Sequence, residues 1–154
     1  MAESPGGNAR RKALGGGDDL LATKLFVPRP AAGLVPRPRL FVRLDDGLRR
    51  GLTLVTAPAG FGKTVLLADW ATQLELPVAW LSLDAGDNDP VRFWWHVAQA
   101  FDRVLAGIAE LVGPLLGASG SSLDRVVTTL LNALAAGHTG VVLVLDDYHV
   151  IEIE

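Results

Sequence analysis

The sequence predicts an α/β fold, a parallel sheet with flanking helices organised around a phosphate-binding loop. Three observations lead there. Apolar runs at 52–56, 78–83 and 141–145 have the length and continuity of strands buried on both faces. Between them lie segments whose apolar residues recur at helical spacing. A glycine-bearing turn, Ala57-Pro58-Ala59-Gly60-Phe61-Gly62-Lys63-Thr64, joins the first apolar run to a helix-like run. Strand, glycine turn and helix, in that order, are what a phosphate cradle requires.

Each element follows from the residues in turn. Residues 1–19 are rich in Gly, Ser, Pro and charge and read as a disordered, dispensable tail. Residues 20–50 form an extended segment and a short helix. Lys24-Leu25-Phe26-Val27-Pro28 opens it, and Pro36 and Pro38 keep Val35 and Arg37 out of the helical region. The helix is expected from Arg39 to about Arg50, with Leu40, Phe41, Leu44 and Leu48 on one face, and Gly51 stops it.

The loop-bearing domain occupies 51–154. After the loop, a helix over 63–74 places Leu66, Leu67, Trp70 and Leu74 at helical spacing, and Pro77 ends it. The strand 78–83 comes next. Asp89 is a natural N-cap and Pro90 a natural first helical residue. Val91, Trp94, Ala98, Phe101 and Leu105 then mark an amphipathic helix. Gly113-Pro114 and 117–120 are expected to break the chain. Ser121 with Asp124 resembles a capping box, and Leu123, Val126, Val127, Leu130 and Leu134 form the face of a further helix. The strand 141–145 runs straight into Asp146-Asp147.

Composition narrows the function. The 154 residues amount to about one domain, 49% hydrophobic, and a core is feasible. Fourteen Lys and Arg against 17 Asp and Glu give a net charge of −3, so no basic surplus exists to grip DNA. Without cysteine there is no disulfide, thiolate metal site or cysteine nucleophile. No apolar run reaches the ~18 residues that span a membrane, and Arg10-Arg11-Lys12 precedes glycines rather than an apolar signal core. The cytoplasm is the expected location.

The loop supplies the chemistry. Gly60 and Gly62 can take positive φ and leave no Cβ in the way of an anion. Backbone N–H groups of the turn and of the helix start, Ala59 through Val65, are placed to meet phosphate. Lys63 adds a charge for the β- and γ-phosphates, and Thr64 a hydroxyl for Mg²⁺. The usual pattern opens with Gly where this chain has Ala57, which is tolerable if φ there stays negative. Ligands of open parallel sheets collect at the carboxyl ends of strands. Asp146 there can hold Mg²⁺ through its water shell, and Asp147 can polarise the attacking water. Asp84, Asp87, Asn88 and Asp89 look loosely like cation ligands, but loop and cap roles suit their spacing better. His96, His138 and His149 have no partner at metal-binding spacing. Trp70, Trp80, Trp94 and Trp95 read as core and contact residues.

Together, Ala57 to Thr64, Trp80-Leu-Ser-Leu-Asp84 with Asp87-Asn-Asp-Pro-Val-Arg-Phe-Trp94, and Leu143-Val-Leu-Asp-Asp-Tyr-His149 carry a resemblance. So do Lys24 to Pro28 and Val35-Pro-Arg-Pro-Arg-Leu40. Residues 20–154 resemble the N-terminal nucleotide-binding region of the LuxR-type, maltose-activator-like transcriptional regulators, members of the STAND class of P-loop ATPases. The resemblance implies an ATP/ADP switch, with self-association in the ATP form. It implies that Val35 and Arg37 lie near the adenine, and that Lys63, Thr64 and Asp146 hold phosphate and Mg²⁺. It also implies DNA binding only through a C-terminal helix-turn-helix that these residues do not include.

Two other functions compete with this one. A small-molecule kinase, or another P-loop ATPase, would need an acceptor site and an arginine-rich lid, whereas Arg92, Arg103 and Arg125 are scattered. A nucleotide-binding module that never hydrolyses is the other. The resemblance further implies that a later strand separates the loop strand from the strand bearing the metal acid. The three core strands are therefore expected to form an incomplete sheet. Either the first and third pair directly, or a slot stays open between them. In both cases the 154 residues alone are expected to be a poor ATPase.

Overall fold

The computed structural model describes residues 22–29, 33, 35–118, 122–137 and 140–152. The expected tail over 1–19, Ser121 and His138 lie outside the described residues. In chain order come α1 (Pro38–Leu48), α2 (Lys63–Ala71), β1 (Val78–Ser82), α3 (Pro90–Asp102), α4 (Ile108–Leu116), α5 (Leu123–Ala136) and β2 (Val142–Asp146). Short 3-10 turns lie at Ala22–Leu25, Ala85–Asn88 and Tyr148–Val150.

β1 and β2 pair in parallel, with Val78 opposite Val142 and Ser82 opposite Asp146. A parallel pair needs a long crossover, which α3, α4 and α5 supply. Ala79 and Leu81 of β1 join one core with Val97, Ala98 and Phe101 of α3, Val112 of α4, and Val126 and Leu130 of α5. Trp80 and Val144 point the other way, onto Ala68 of α2. Helices cover both faces of the pair, and that is why both runs are continuously apolar. The α/β class is as expected. Among the described residues no helix is long and apolar enough to cross a membrane.

The third expected strand is absent from this sheet, which has two strands among the described residues. Residues 52–56 form no strand. Leu52 and Leu54 are 84% and 78% exposed, and of the apolar residues in the run only Val55 packs, in a small cluster with Leu44, Leu66, Trp70 and Val142. A strand is made by a hydrogen-bonded neighbour about 4.8 Å away, not by apolar composition. β2 bonds to β1 and not to 52–56. Direct pairing of the first and third runs does not occur.

Smaller departures have local causes. The Gly113-Pro114 pair does not break the chain but lies inside α4. Gly113 is buried against the Trp95 ring, where an added Cβ would come within 3.1 Å of Trp95 Cζ3. Tertiary packing here outweighs poor helix propensity. Leu48 is on the surface rather than on the buried face of α1, where Leu44 and Gly47 are buried. The capping residue of α5 is Ser122, without a side-chain cap bond. Asp89 does cap α3, its Oδ1 accepting from Arg92 N at 2.8 Å, and Pro90 is the first helical residue.

Candidate functional site

The phosphate loop closes because two glycines adopt positive φ, 79° at Gly60 and 76° at Gly62. An L-residue with a Cβ pays about 1–2 kcal/mol for that conformation. Ala57 is not among the residues with positive φ, so its methyl group costs no strain. Gly62 directly precedes α2 and offers no side-chain cap. The first N–H groups of α2 are therefore open to an anion, at the positive end of the helix dipole.

Side chains converge on this loop from three directions. Lys63 Nζ folds back to donate to Ala57 O at 2.8 Å and Pro58 O at 3.3 Å. Arg37 reaches in from ahead of α1 and donates from NH1 to Phe61 O at 3.2 Å. Thr64 Oγ1 donates to Asp146 Oδ1 at 3.0 Å, which joins the start of α2 to the end of β2 across 82 residues of sequence. Val35, 79% exposed, lines a cavity of about 280 Å³ with Gly33, Arg37, Val65, Leu66 and Asp69. A second cavity of about 520 Å³ runs past Arg37, Arg39 and Phe61. Of the residues singled out from sequence, Ala59, Gly60, Phe61, Gly62, Lys63, Thr64, Val65, Val35, Arg37 and Asp146 thus fall in one neighbourhood.

The two acids differ. Asp146 is buried. Burial pushes its carboxyl above the ordinary value and the neighbouring Asp147 charge adds to this, while the Thr64 hydrogen bond opposes it. Asp147 is exposed and takes a left-handed conformation, φ 57° and ψ 33°. His149 Nδ1 lies 3.8 Å from its Oδ1.

Sequence reasoning missed a buried polar hub beside this site. Asp87 accepts from Lys24 Nζ at 2.6 Å and from Asp84 N at 2.8 Å, and its other oxygen meets His96 Nδ1 at 2.6 Å. Asp84 accepts from Lys24 Nζ as well, at 3.0 Å, and Arg92 NH2 approaches it at 3.4 Å. Asp84 and Asp87 do form a capping box on the turn Ala85–Asn88, so the cap role holds. Asp87, in the turn Ala85–Asn88, and His96, within α3, gave no local signal of their burial, and neither did Lys24. Burial raises Asp87, but its bonds to Lys24, Asp84 N–H and His96 hold it below the usual carboxylate range. The Lys24 bond holds Asp84 low as well. Burial lowers His96 despite Asp87.

Residues 46–154 match the AAA domain. The chain belongs to the AAA domain family. Over 156 residues, 95% of this chain, it is 36% identical to the serine/threonine-protein kinase PknK of Mycobacterium tuberculosis. Over 133 residues, 86% of this chain, it is 35% identical to the HTH-type transcriptional regulator MalT of Cronobacter sakazakii. The chain spans 14% of the first relative's length and 15% of the second's. An AAA domain is a P-loop domain that binds nucleotide, and the loop geometry agrees with that.

The residues also suit a magnesium nucleotide. Among the described residues no group of three or more His, Cys, Asp or Glu side chains could hold a metal by itself. The Thr64–Asp146 pair offers two oxygens, which suits an ion that keeps most of its shell from phosphate and water. A dication there would offset the burial that disfavours the charged form of Asp146.

Proposed function

We propose that this chain is the ATP-binding switch module of a LuxR-type transcriptional regulator of the STAND class. In this reading the N–H groups of Ala59, Gly60, Phe61, Gly62 and Val65 and the Lys63 ammonium hold the phosphates. Thr64 and Asp146 hold Mg²⁺, and Val35 and Arg37 flank the adenine. Bound Mg²⁺ neutralises phosphate charge. Asp147 accepts a hydrogen bond from the attacking water. The water oxygen bonds to the γ-phosphorus, the bond from that phosphorus to the β–γ bridging oxygen breaks with its electron pair staying on ADP, and both water protons leave with the phosphate as dihydrogen phosphate. In the whole protein the ATP form self-associates, and DNA is contacted only through another domain, in the cytoplasm.

The observation that carries this reading is the 3.0 Å bond from Thr64 Oγ1 to Asp146 Oδ1. It brings a hydroxyl that follows the loop Lys to a strand-end carboxylate, the pair a magnesium phosphate needs. Similarity to MalT favours the regulator. Similarity of the same stretch to PknK indicates a module that occurs under more than one name.

The two acids provide the test, in the whole protein. Asp146→Asn is expected to weaken binding of ATP in the presence of Mg²⁺ and not in its absence. Asp147→Asn is expected to leave binding intact and slow turnover by on the order of a hundredfold. Equal effects of the two variants on binding would contradict the division of roles.

A further inference from the structure

We propose that Asn88 is the positioning residue for Asp147, a deepening of the hydrolytic reading above and dependent on it. Asp147 is the only non-glycine residue with positive φ among the described residues. Such a conformation persists only where the surrounding structure fixes it, and it recurs at functional sites. The short arc from Asp147 to Ile151 is pinned at both ends to the connection between β1 and α3. At the near end Leu83 N donates to Asp146 O at 3.0 Å. At the far end Asn88 Nδ2 donates to Val150 O at 2.9 Å, and Asn88 Oδ1 accepts from Glu152 N at 2.7 Å. Inside the arc, Val150 N donates to Asp147 O and Ile151 N to Tyr148 O, both at 3.1 Å.

The clamp is stiff because its base is stiff. Asn88 Nδ2 also donates to Ala85 O at 3.0 Å. Its neighbour on one side, Asp87, is the buried centre of the polar hub. Its neighbour on the other side, Asp89, caps α3. A side-chain amide that donates to one backbone group and accepts from another two residues on substitutes for a strand partner. It holds residues 150–152 in register with the turn, and through them the crest at Asp147. Released at that end, the arc can relax to negative φ, and the Asp147 carboxylate leaves its place beside the buried Asp146. Asn88 touches neither nucleotide nor metal in this arrangement and acts through Asp147 alone.

The experiment is a double-mutant cycle on steady-state ATP turnover by the whole protein, with Asn88→Ala, Asp147→Asn and both together. Asn88→Ala is expected to lower kcat about tenfold with KM within about twofold, since displacing a positioned group costs turnover more than binding. On the Asp147→Asn background it is expected to cost nothing further, because groups that act as a unit are not additive. If Asn88→Ala does not fold, Asn88→Asp carries the same test, since it keeps the acceptor for Glu152 N–H and loses the donor to Val150. Wild-type kcat in the Asn88 variant beside a slow Asp147→Asn overturns the proposal and leaves the role of Asp147 standing. Losses that multiply in the double variant also overturn it, since Asn88 would then act elsewhere. Wild-type kcat in Asp147→Asn overturns the hydrolytic reading and the proposal with it.

Discussion

Leu81 and Leu54 lie in apolar runs of nearly the same length and character, yet Leu81 is fully buried and Leu54 is 78% exposed. The difference separates two regions of the molecule. Around Leu81, a parallel pair is sealed by helices on both faces, and Lys24, Asp84, Asp87 and His96 close a polar hub at its edge. Around Leu54, an extended segment leans on α1 and α2 through a cluster whose buried members are Leu44, Leu66 and Trp70. The acid pair belongs to the first region and the phosphate loop to the second. Burial follows from having a bonded neighbour, and the side-chain bond from Thr64 to Asp146 ties the two regions together at the site itself. A nucleotide that engages both the loop and the Thr64–Asp146 pair would strengthen that tie.

The largest effect is expected from removing the centre of the hub. Asp87→Ala leaves Lys24 buried without its closest carboxylate, and is expected to destabilise by about 3–5 kcal/mol in a urea melt. A loss under about 1 kcal/mol would mean that the well-packed region does not depend on the hub.

Acid should act on the same region. His96 is lowered in the folded state, so the unfolded state binds the extra proton first, and stability falls as pH drops below the ordinary value of 6.5. Asp84 and Asp87 are also lowered, so their contribution is present above 3.8 and is lost as pH falls further. Asp146 is raised and has the opposite sign, since its charged form at neutral pH works against folding. Thermal melts from pH 7 to 5 are expected to show a falling midpoint that His96→Gln flattens. A midpoint that rises on acidification would show that Asp146 dominates instead.

The smallest effect is expected at Leu54. Leu54→Ser removes a mostly exposed side chain and is expected to change stability by within about 0.5 kcal/mol in this chain. Leu81→Ala is expected to cost about 2–5 kcal/mol. Comparable losses from both, in denaturant melts, would mean that 52–56 is as well sheltered as β1.

Much of this was legible in the residues. The glycine turn and the nearness of Thr64 to Asp146 could be read because the order of turn, helix and strand brings them together. Asp89-Pro90 foretold the start of α3 through local capping alone. What the residues did not disclose is non-local. Residues 52–56 look like a strand, and only the absence of a bonded neighbour says otherwise. Gly113-Pro114 looks like a break until Trp95 is seen against the glycine. Asn88 looks like a loop residue because its partners, Val150 and Glu152, are more than 60 residues away.

The function proposed above depends on the loop binding a magnesium nucleotide through Lys63. Calorimetric titration of the whole protein with ATP in the presence of Mg²⁺, on the wild type and on Lys63→Ala, tests it most directly. Loss of a charge-assisted phosphate contact is expected to weaken affinity by at least about tenfold, with the melting temperature of the nucleotide-free protein unchanged. Equal affinity in the two proteins would contradict that role for Lys63.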